Sequence, residues 1–200
     1  MAYRDFKMQD LTQKFGIQEM GVNIFDSAKI KRIAPSDKLL SDLADAEFIT
    51  LSTEKAVSER LVSPILAEVA KRNADLQIFS GEIIVADKSK GLNGELDFVM
   101  ARKPWTRKPQ NPLLCVTESK LGLINSGVDQ ATAQMLGLRI FNLKNGYTEE
   151  IIHGAVTDGT SWRFLKLEGT QLLLDLHVYS ISDLSLLLGV LQEVIDFYKK

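Results

Sequence analysis

Apolar residues recur along the chain with two different periods, and the points where the period changes mark the elements. "LTQKFGI" (11–17) and "PSDKLLSDLADA" (35–46) carry short helical patterns, and Pro35 with Ser36 supplies a start signal for the second. "TEKAVSERLVSPILAEVAKRN" (53–73) predicts a stronger helix. Thr53 suits its N-cap, because a hydroxyl there accepts from an unpaired backbone N–H, and Lys71 and Arg72 place cations at the negative end of the helix dipole. Pro64 lacks an N–H and should kink or restart the helix.

The period then falls to that of strands. "LQIFSGEIIVAD" (76–87) and "GELDFVMA" (94–101) flank the polar turn KSKGLN, and the "LLCV" of "PLLCVTESKLG" (112–122) is apolar throughout, as in a strand buried on both faces. Together they read as a three-stranded meander. "RKPWTRKPQNP" (102–112) separates the last two strands; its three prolines rule out regular structure and its length exceeds an ordinary hairpin loop. Helical spacing returns in "SGVDQATAQMLGLRIFNLKN" (126–145), where Ser126 and Asp129 have capping-box spacing and Val128, Ala131, Met135 and Leu138 share a face. "IIHGAVTDGTSWRFLKLEG" (151–169) reads as a hairpin turning at Asp158-Gly159.

The final helix, in "SISDLSLLLGVLQEVIDFYKK" (180–200), is apolar around much of its girth, so it is deeply buried or it meets another chain, which would make a homodimer. The order of elements predicts one α/β domain over residues 1–200, a mixed β-sheet flanked by helices. Its core spans about 53–165, with a helical segment over 1–50 and the last helix over about 182–198.

Two hundred residues with 45% hydrophobic content are enough to bury the core of a single domain. No apolar run approaches the length of a membrane span, and the start, MAYRDFKMQDLTQKF, lacks the apolar centre of a signal peptide, so a cytoplasmic protein without a membrane partner is expected. Cys115, the single cysteine, cannot form an internal disulfide, and its place in an apolar run fits core packing. His153 and His177 have no partner at metal-ligand or triad spacing. A net charge of −2 carries no global attraction for polyanions, so any nucleic-acid contact rests on a local patch. The proline-rich loop offers one: Arg102, Lys103, Arg107 and Lys108 can grip phosphates and Trp105 can stack on a base, or Trp105 packs inward and the cations are solvated.

The chemistry concentrates at two strand ends. Glu118 and Lys120 lie two residues apart, hence on one side of their strand. An antiparallel register that sets Asp97 opposite Glu118 would bring two carboxylates together, with Asp97 facing away from Leu96, Phe98 and Met100. Adjacent carboxylates repel unless a proton or cation sits between them, and hard oxygen donors suit Mg²⁺ or Mn²⁺. Such an ion polarises a phosphoryl oxygen and acidifies a bound water, while Lys120 can orient that water and offset developing charge. Singly, Asp97 and Lys120 read as a surface ion pair and Glu118 as a solvated strand end; as a set they point to phosphodiester hydrolysis.

With Asp97 in "GELDFVM" and Glu118-Ser119-Lys120 in "VTESKLG", the chain resembles the PD-(D/E)xK nuclease superfamily at its acid and acid-x-lysine positions. "TEKAVSERLVSPIL" (53–66) is similar to the helix that opens the nuclease domain of type I restriction enzyme R subunits and their stand-alone relatives, with Glu54 at the helix acid. Glu54, Ser58, Leu61 and Ile65 share a helical face, which should turn Glu54 toward the core. "DQATAQML" (129–136) resembles the glutamine helix of that family, with Gln130 at the glutamine and Gln134 where an aromatic is usual; "VTDGTSWRF" (156–164) resembles its hairpin. The likeness runs from about Thr53 to Phe164. It implies a restriction-endonuclease-like fold and a metal-dependent nuclease acting on DNA. Asp97, Glu118 and Glu54 would hold Mg²⁺ or Mn²⁺, Lys120 would position water, and Gln130 would orient Lys120 or the substrate. The same residues would also suit a module that kept the fold and lost turnover, binding nucleic acid or serving assembly.

Overall fold

Local signals fix most of the elements. The computed structural model describes residues 1–102, 107–109 and 113–199, without the side chains of residues 114–116 and 119, so Lys103, Trp105 and the side chain of Cys115 lie outside the described residues. In chain order the elements are α1 (Met8–Phe15), β1 (Gln18–Val22), α2 (Asp37–Asp45), α3 (Glu54–Val57), α4 (Ser63–Arg72), β2 (Leu76–Asp87), β3 (Leu92–Arg102), β4 (Leu113–Ser119), α5 (Val128–Lys144), β5 (Ile151–Thr157), β6 (Ser161–Glu168), β7 (Gln171–Asp175), β8 (Tyr179–Ser180) and α6 (Leu184–Phe197). Ser36 caps α2 by accepting from the Leu39 N–H, and Thr53 caps α3 by accepting from the Ala56 N–H at 3.1 Å. Pro64 acts one turn ahead of itself: its ring would collide with the Arg60 carbonyl in a regular helix, and a wider π turn over Ser58–Val62 joins α3 to α4 instead.

Among the described residues the strands form one mixed eight-stranded sheet in the order β1-β7-β6-β5-β4-β3-β2, with β8 paired to β6. β2, β3 and β4 make the expected antiparallel meander, and β5 and β6 the expected hairpin. β4 runs parallel to β5, with α5 as the connection between them, and β1 runs parallel to β7. The sheet therefore has helices on both faces. One apolar cluster gathers Tyr3, Phe6, Leu11 and the α5 residues Ala131, Met135 and Leu138 over Leu96, Val99 and Val156. The other gathers α2, α4 and α6 over Phe98, Met100, Trp162 and Phe164.

Two expectations need correcting and two are sharpened. β1 and β7 were not foreseen: β1 is short and almost wholly exposed, so no apolar alternation marks it, and β7 follows a two-residue Gly169-Thr170 turn. The Ser126/Asp129 capping box does not form, because a short 3₁₀ turn over Ile124–Gly127 precedes α5 and the Ser126 hydroxyl donates to the Leu123 carbonyl at 2.7 Å. α5 is buried on more than one face, since the N-terminal turn around Tyr3 covers its outer side. α6 meets its apolar needs inside the chain: a Cβ at Gly189 would stand 2.6 Å from Ile30 and from the Lys31 carbonyl, so the segment after β1 lies directly on the helix. The girth of α6 thus carries no argument for a homodimer. No helix among the described residues is long and apolar enough to cross a membrane.

Candidate active site

The register of the meander decides where the acids go. β3 and β4 pair as Phe98↔Thr117, Val99↔Val116 and Met100↔Cys115, a register that, extended one step, would set Asp97 opposite Glu118, and the charge of Asp97 does act on Glu118. On the other side, β2 and β3 pair at Ser80↔Phe98 and Glu82↔Leu96, leaving Gly81 opposite Asp97. Gly81 has φ +68°, a left-handed conformation that glycine adopts without strain. The alternation of side chains breaks at this point: Leu96 joins the same cluster as Val99 and Ala101, while Phe98 and Met100 join the opposite one. The single apolar face drawn through Leu96, Phe98 and Met100 is therefore not formed. Asp97 occupies the break and lines a cleft of about 680 Å³.

All five residues singled out for catalysis, Glu54, Asp97, Glu118, Lys120 and Gln130, line that one cleft. Glu118 is its floor, 1% exposed at the C-terminal end of a parallel strand, the edge of an α/β sheet where ligands bind. Lys120 follows just past the strand and keeps its extended path by donating its backbone N–H to the Thr157 carbonyl at 2.8 Å. Its ammonium Nζ then lies 2.8 Å from Glu118 Oε1, 3.8 Å from Glu54 Oε1, and donates to Gln130 Oε1 at 3.2 Å. Glu54, the first residue of α3, stands 53% exposed at the rim and does not point into the core with Leu61 and Ile65. Helical facing sets the direction of a side chain; the position at the helix end sets its depth.

Gln134 is the residue that sequence reasoning passed over. It is fully buried on α5 and donates from Nε2 to Glu118 Oε2 at 2.7 Å. The match to Gln130 is metrical. Two residues of strand rise about 6.6 Å and four residues of helix about 6 Å, so Gln130 and Gln134 on α5 can meet Lys120 and Glu118 on an oppositely running β4 rung for rung. The i, i+4 glutamine pair facing an acid-x-lysine pair was the available signal. Gly127 completes the fit by leaving room: a Cβ there would stand 3.0 Å from Lys120 Cγ and 3.6 Å from Glu118 Cγ.

Burial, then the charge of Asp97, pushes the Glu118 carboxyl up to about 7, against the hydrogen bonds from Lys120 and Gln134. Burial works to lower Lys120, but the hydrogen bond and charge of Glu118, with Glu54 and Asp97, outweigh it and raise the ammonium above its ordinary value. Lys120 is thus a fixed cation at neutral pH, suited to stabilising charge and holding water and unsuited to abstracting a proton. No family model and no curated protein matches the chain.

The donor set fits a hard divalent ion. Glu118, Asp97 and Glu54 offer only oxygen, and after burial it is the charge of Asp97 that raises Glu118, a repulsion of the kind an ion between carboxylates relieves. Among the described residues no three His, Cys, Asp or Glu side chains form a ready-made cage. The described loop cations are placed elsewhere. Arg102 ends β3 half-buried, and one of its guanidinium nitrogens has no hydrogen-bond partner among the described residues. Arg107 and Lys108 are exposed, and neither lines the cleft.

Proposed function

We propose that the chain is a metal-dependent nuclease of the PD-(D/E)xK type that hydrolyses phosphodiester bonds of DNA, with Mg²⁺ or Mn²⁺ held by Asp97 and Glu118 and assisted by Glu54. The observation that carries this reading is the buried Glu118 clamped between Lys120 and Gln134, raised by its burial and by the charge of Asp97, at the floor of a cleft open to solvent. The ion, when bound, would acidify a water and neutralise the charge that builds on the phosphoryl oxygens. The chain does the rest. Lys120 stabilises negative charge at the reacting phosphorus and orients the attacking water, Gln130 fixes the Lys120 ammonium, and Gln134 fixes the Glu118 carboxylate.

Purified protein with Mg²⁺ or Mn²⁺ should nick or cut plasmid DNA or degrade single-stranded DNA, and Lys120→Ala should lower the activity by about a thousandfold. Wild-type protein inert on both forms of DNA with either ion overturns the proposal. A second reading is a nuclease-fold module without turnover, favoured by the engagement of both Glu118 oxygens by neighbouring side chains. Calorimetric titration with Mn²⁺ separates the two: a working site binds the ion with an affinity that drops on Asp97→Ala, and a silent one gives no such response.

A further inference from the structure

The cleft carries more acid than base. Glu54, Glu95, Asp97 and Glu118 line it against Lys120 and Arg4, and Lys120 is already held by Glu118 and Gln130. A polyanionic strand approaching this surface needs a cation outside that network. Arg4 meets the requirement: its side chain is 82% exposed at the cleft wall, and its ionic neighbour Asp5 stands at 3.9 Å, beyond hydrogen-bonding range.

The side chain is exposed, but the backbone beneath it is anchored. Tyr3, its neighbour, is 1% exposed and sits where two glycines leave room for it. A Cβ at Gly137 of α5 would come within 2.2 Å of the Tyr3 phenol oxygen, and one at Gly94 of β3 within 3.2 Å of its ring. Asp5 closes the turn by accepting from the Ala2 N–H at 2.7 Å. The turn thus rests on β3, which carries Asp97, and on α5, which carries Gln130 and Gln134. A guanidinium on a rigid base beside a reacting centre is suited to bidentate phosphate binding, because its planar fork loses little freedom on pairing.

Resting on the nuclease reading above, we infer that Arg4 grips a DNA backbone phosphate at the mouth of the cleft, which makes the N-terminal turn part of the substrate site. The contact lies outside the stretch, Thr53 to Phe164, on which the resemblance rests. It is a contact to phosphate and carries no base preference.

The test uses the full chain and a fluorescently labelled DNA duplex, with binding read by anisotropy in Ca²⁺ across a salt series and turnover read in Mg²⁺. Arg4→Ala should weaken binding roughly tenfold, lower the salt slope by about 1, and raise KM with little change in kcat. Arg4→Glu should weaken it further, and Arg4→Lys should restore the salt slope with only part of the affinity. Because Arg4 is exposed, the melting temperature of each variant should equal that of wild type. Arg4→Ala with wild-type affinity, slope and KM, in a protein that cleaves DNA, overturns the clamp and leaves the nuclease reading standing. Wild-type protein that neither binds nor cleaves overturns the nuclease reading, and the clamp falls with it.

Discussion

Glu118 and His153 stand on neighbouring parallel strands, β4 and β5, and both are buried titratable groups. They have settled in opposite ways. His153 is pressed down to about 3 by burial, with a contribution from the charge of Lys166, and so it is neutral throughout the physiological range. Its Nδ1 and backbone N–H are engaged by one neighbour: the Tyr198 hydroxyl lies 2.8 Å from Nδ1 and accepts from the His153 backbone N–H at 2.9 Å, while Phe197 packs edge-on at 5.0 Å. Glu118 is pushed the other way, and its neighbours are a second carboxylate, a cation and a cleft. A buried group held neutral by its surroundings stabilises one conformation; a buried carboxyl poised between a second acid and a cation beside a cleft holds free energy that a ligand can release.

The sharpest way to break this contrast is to neutralise Glu118. Glu118→Gln and Lys120→Ala should each lower DNA cleavage by about a thousandfold, measured as kcat in Mg²⁺. In EDTA near pH 8, Glu118→Gln should nevertheless raise stability to urea by about 2 kcal/mol. The sign follows from the raised carboxyl. The folded state keeps a proton that the unfolded chain releases above its ordinary 4.5, so stability is full below that pH and is lost as pH rises through about 7. A variant that is inactive and also less stable near pH 8 would mark Glu118 as an ordinary structural acid.

His153 gives the mirror image. The unfolded chain takes up a proton below the ordinary histidine value of 6.5, while the folded state refuses it down to about 3, so stability falls as pH drops through that window. Between pH 6.5 and 4.5 the loss from this residue is about 2–3 kcal/mol. His153→Gln should flatten that part of the urea-unfolding profile while leaving cleavage within about twofold of wild type, since the residue lies outside the cleft. An unchanged slope would show that His153 is protonated in the fold. Gln134→Leu comes next in size. Without its donor, Glu118 should rise further, so cleavage should drop about tenfold near pH 7 and the acidic limb of the pH–rate profile should shift to higher pH.

Much of this contrast was legible in the chain. Thr53, Ser36 and Pro64 act through rules that span one helical turn, and the structure obeys them. The meander was legible because apolar runs and turn residues alternate clearly from Leu76 to Ser119. β1 was not, because Gln18–Val22 has almost no buried side chain and is fixed by pairing with β7, over a hundred and forty residues away. Neither was the switch of face at Asp97, which depends on Gly81 across the hairpin. The five cleft residues could be named singly, but the depth of each depends on packing: Glu54 lies at the rim, Glu118 at the floor. Gln134 stands where the resemblance leads one to expect an aromatic, and its distance from Glu118 exists only once α5 crosses β4.

The smallest predicted effect tests how closely the site depends on that crossing. Gly127 has an ordinary φ of −88°, so its importance cannot be backbone freedom, and alanine there suffers no conformational strain. What alanine adds is one methyl, 3.0 Å from Lys120 Cγ and 3.3 Å from Val156 Cγ1. Contacts that tight require the neighbours to shift by a few tenths of an ångström. Val156 is packed in the core and Lys120 is tethered at its tip, so the lysine stem should move and carry its ammonium off the line set by Glu118 and Gln130. Gly127→Ala should therefore lower kcat by about threefold to tenfold with KM nearly constant and stability reduced by less than about 1 kcal/mol. Gly122→Ala provides the control, since nothing stands within 4 Å of its Cβ, but its φ of +91° strains any other residue. It should lower stability without the drop in kcat. If both variants cleave DNA like wild type, the ammonium position is not limiting, and the weight of catalysis shifts to the carboxylates.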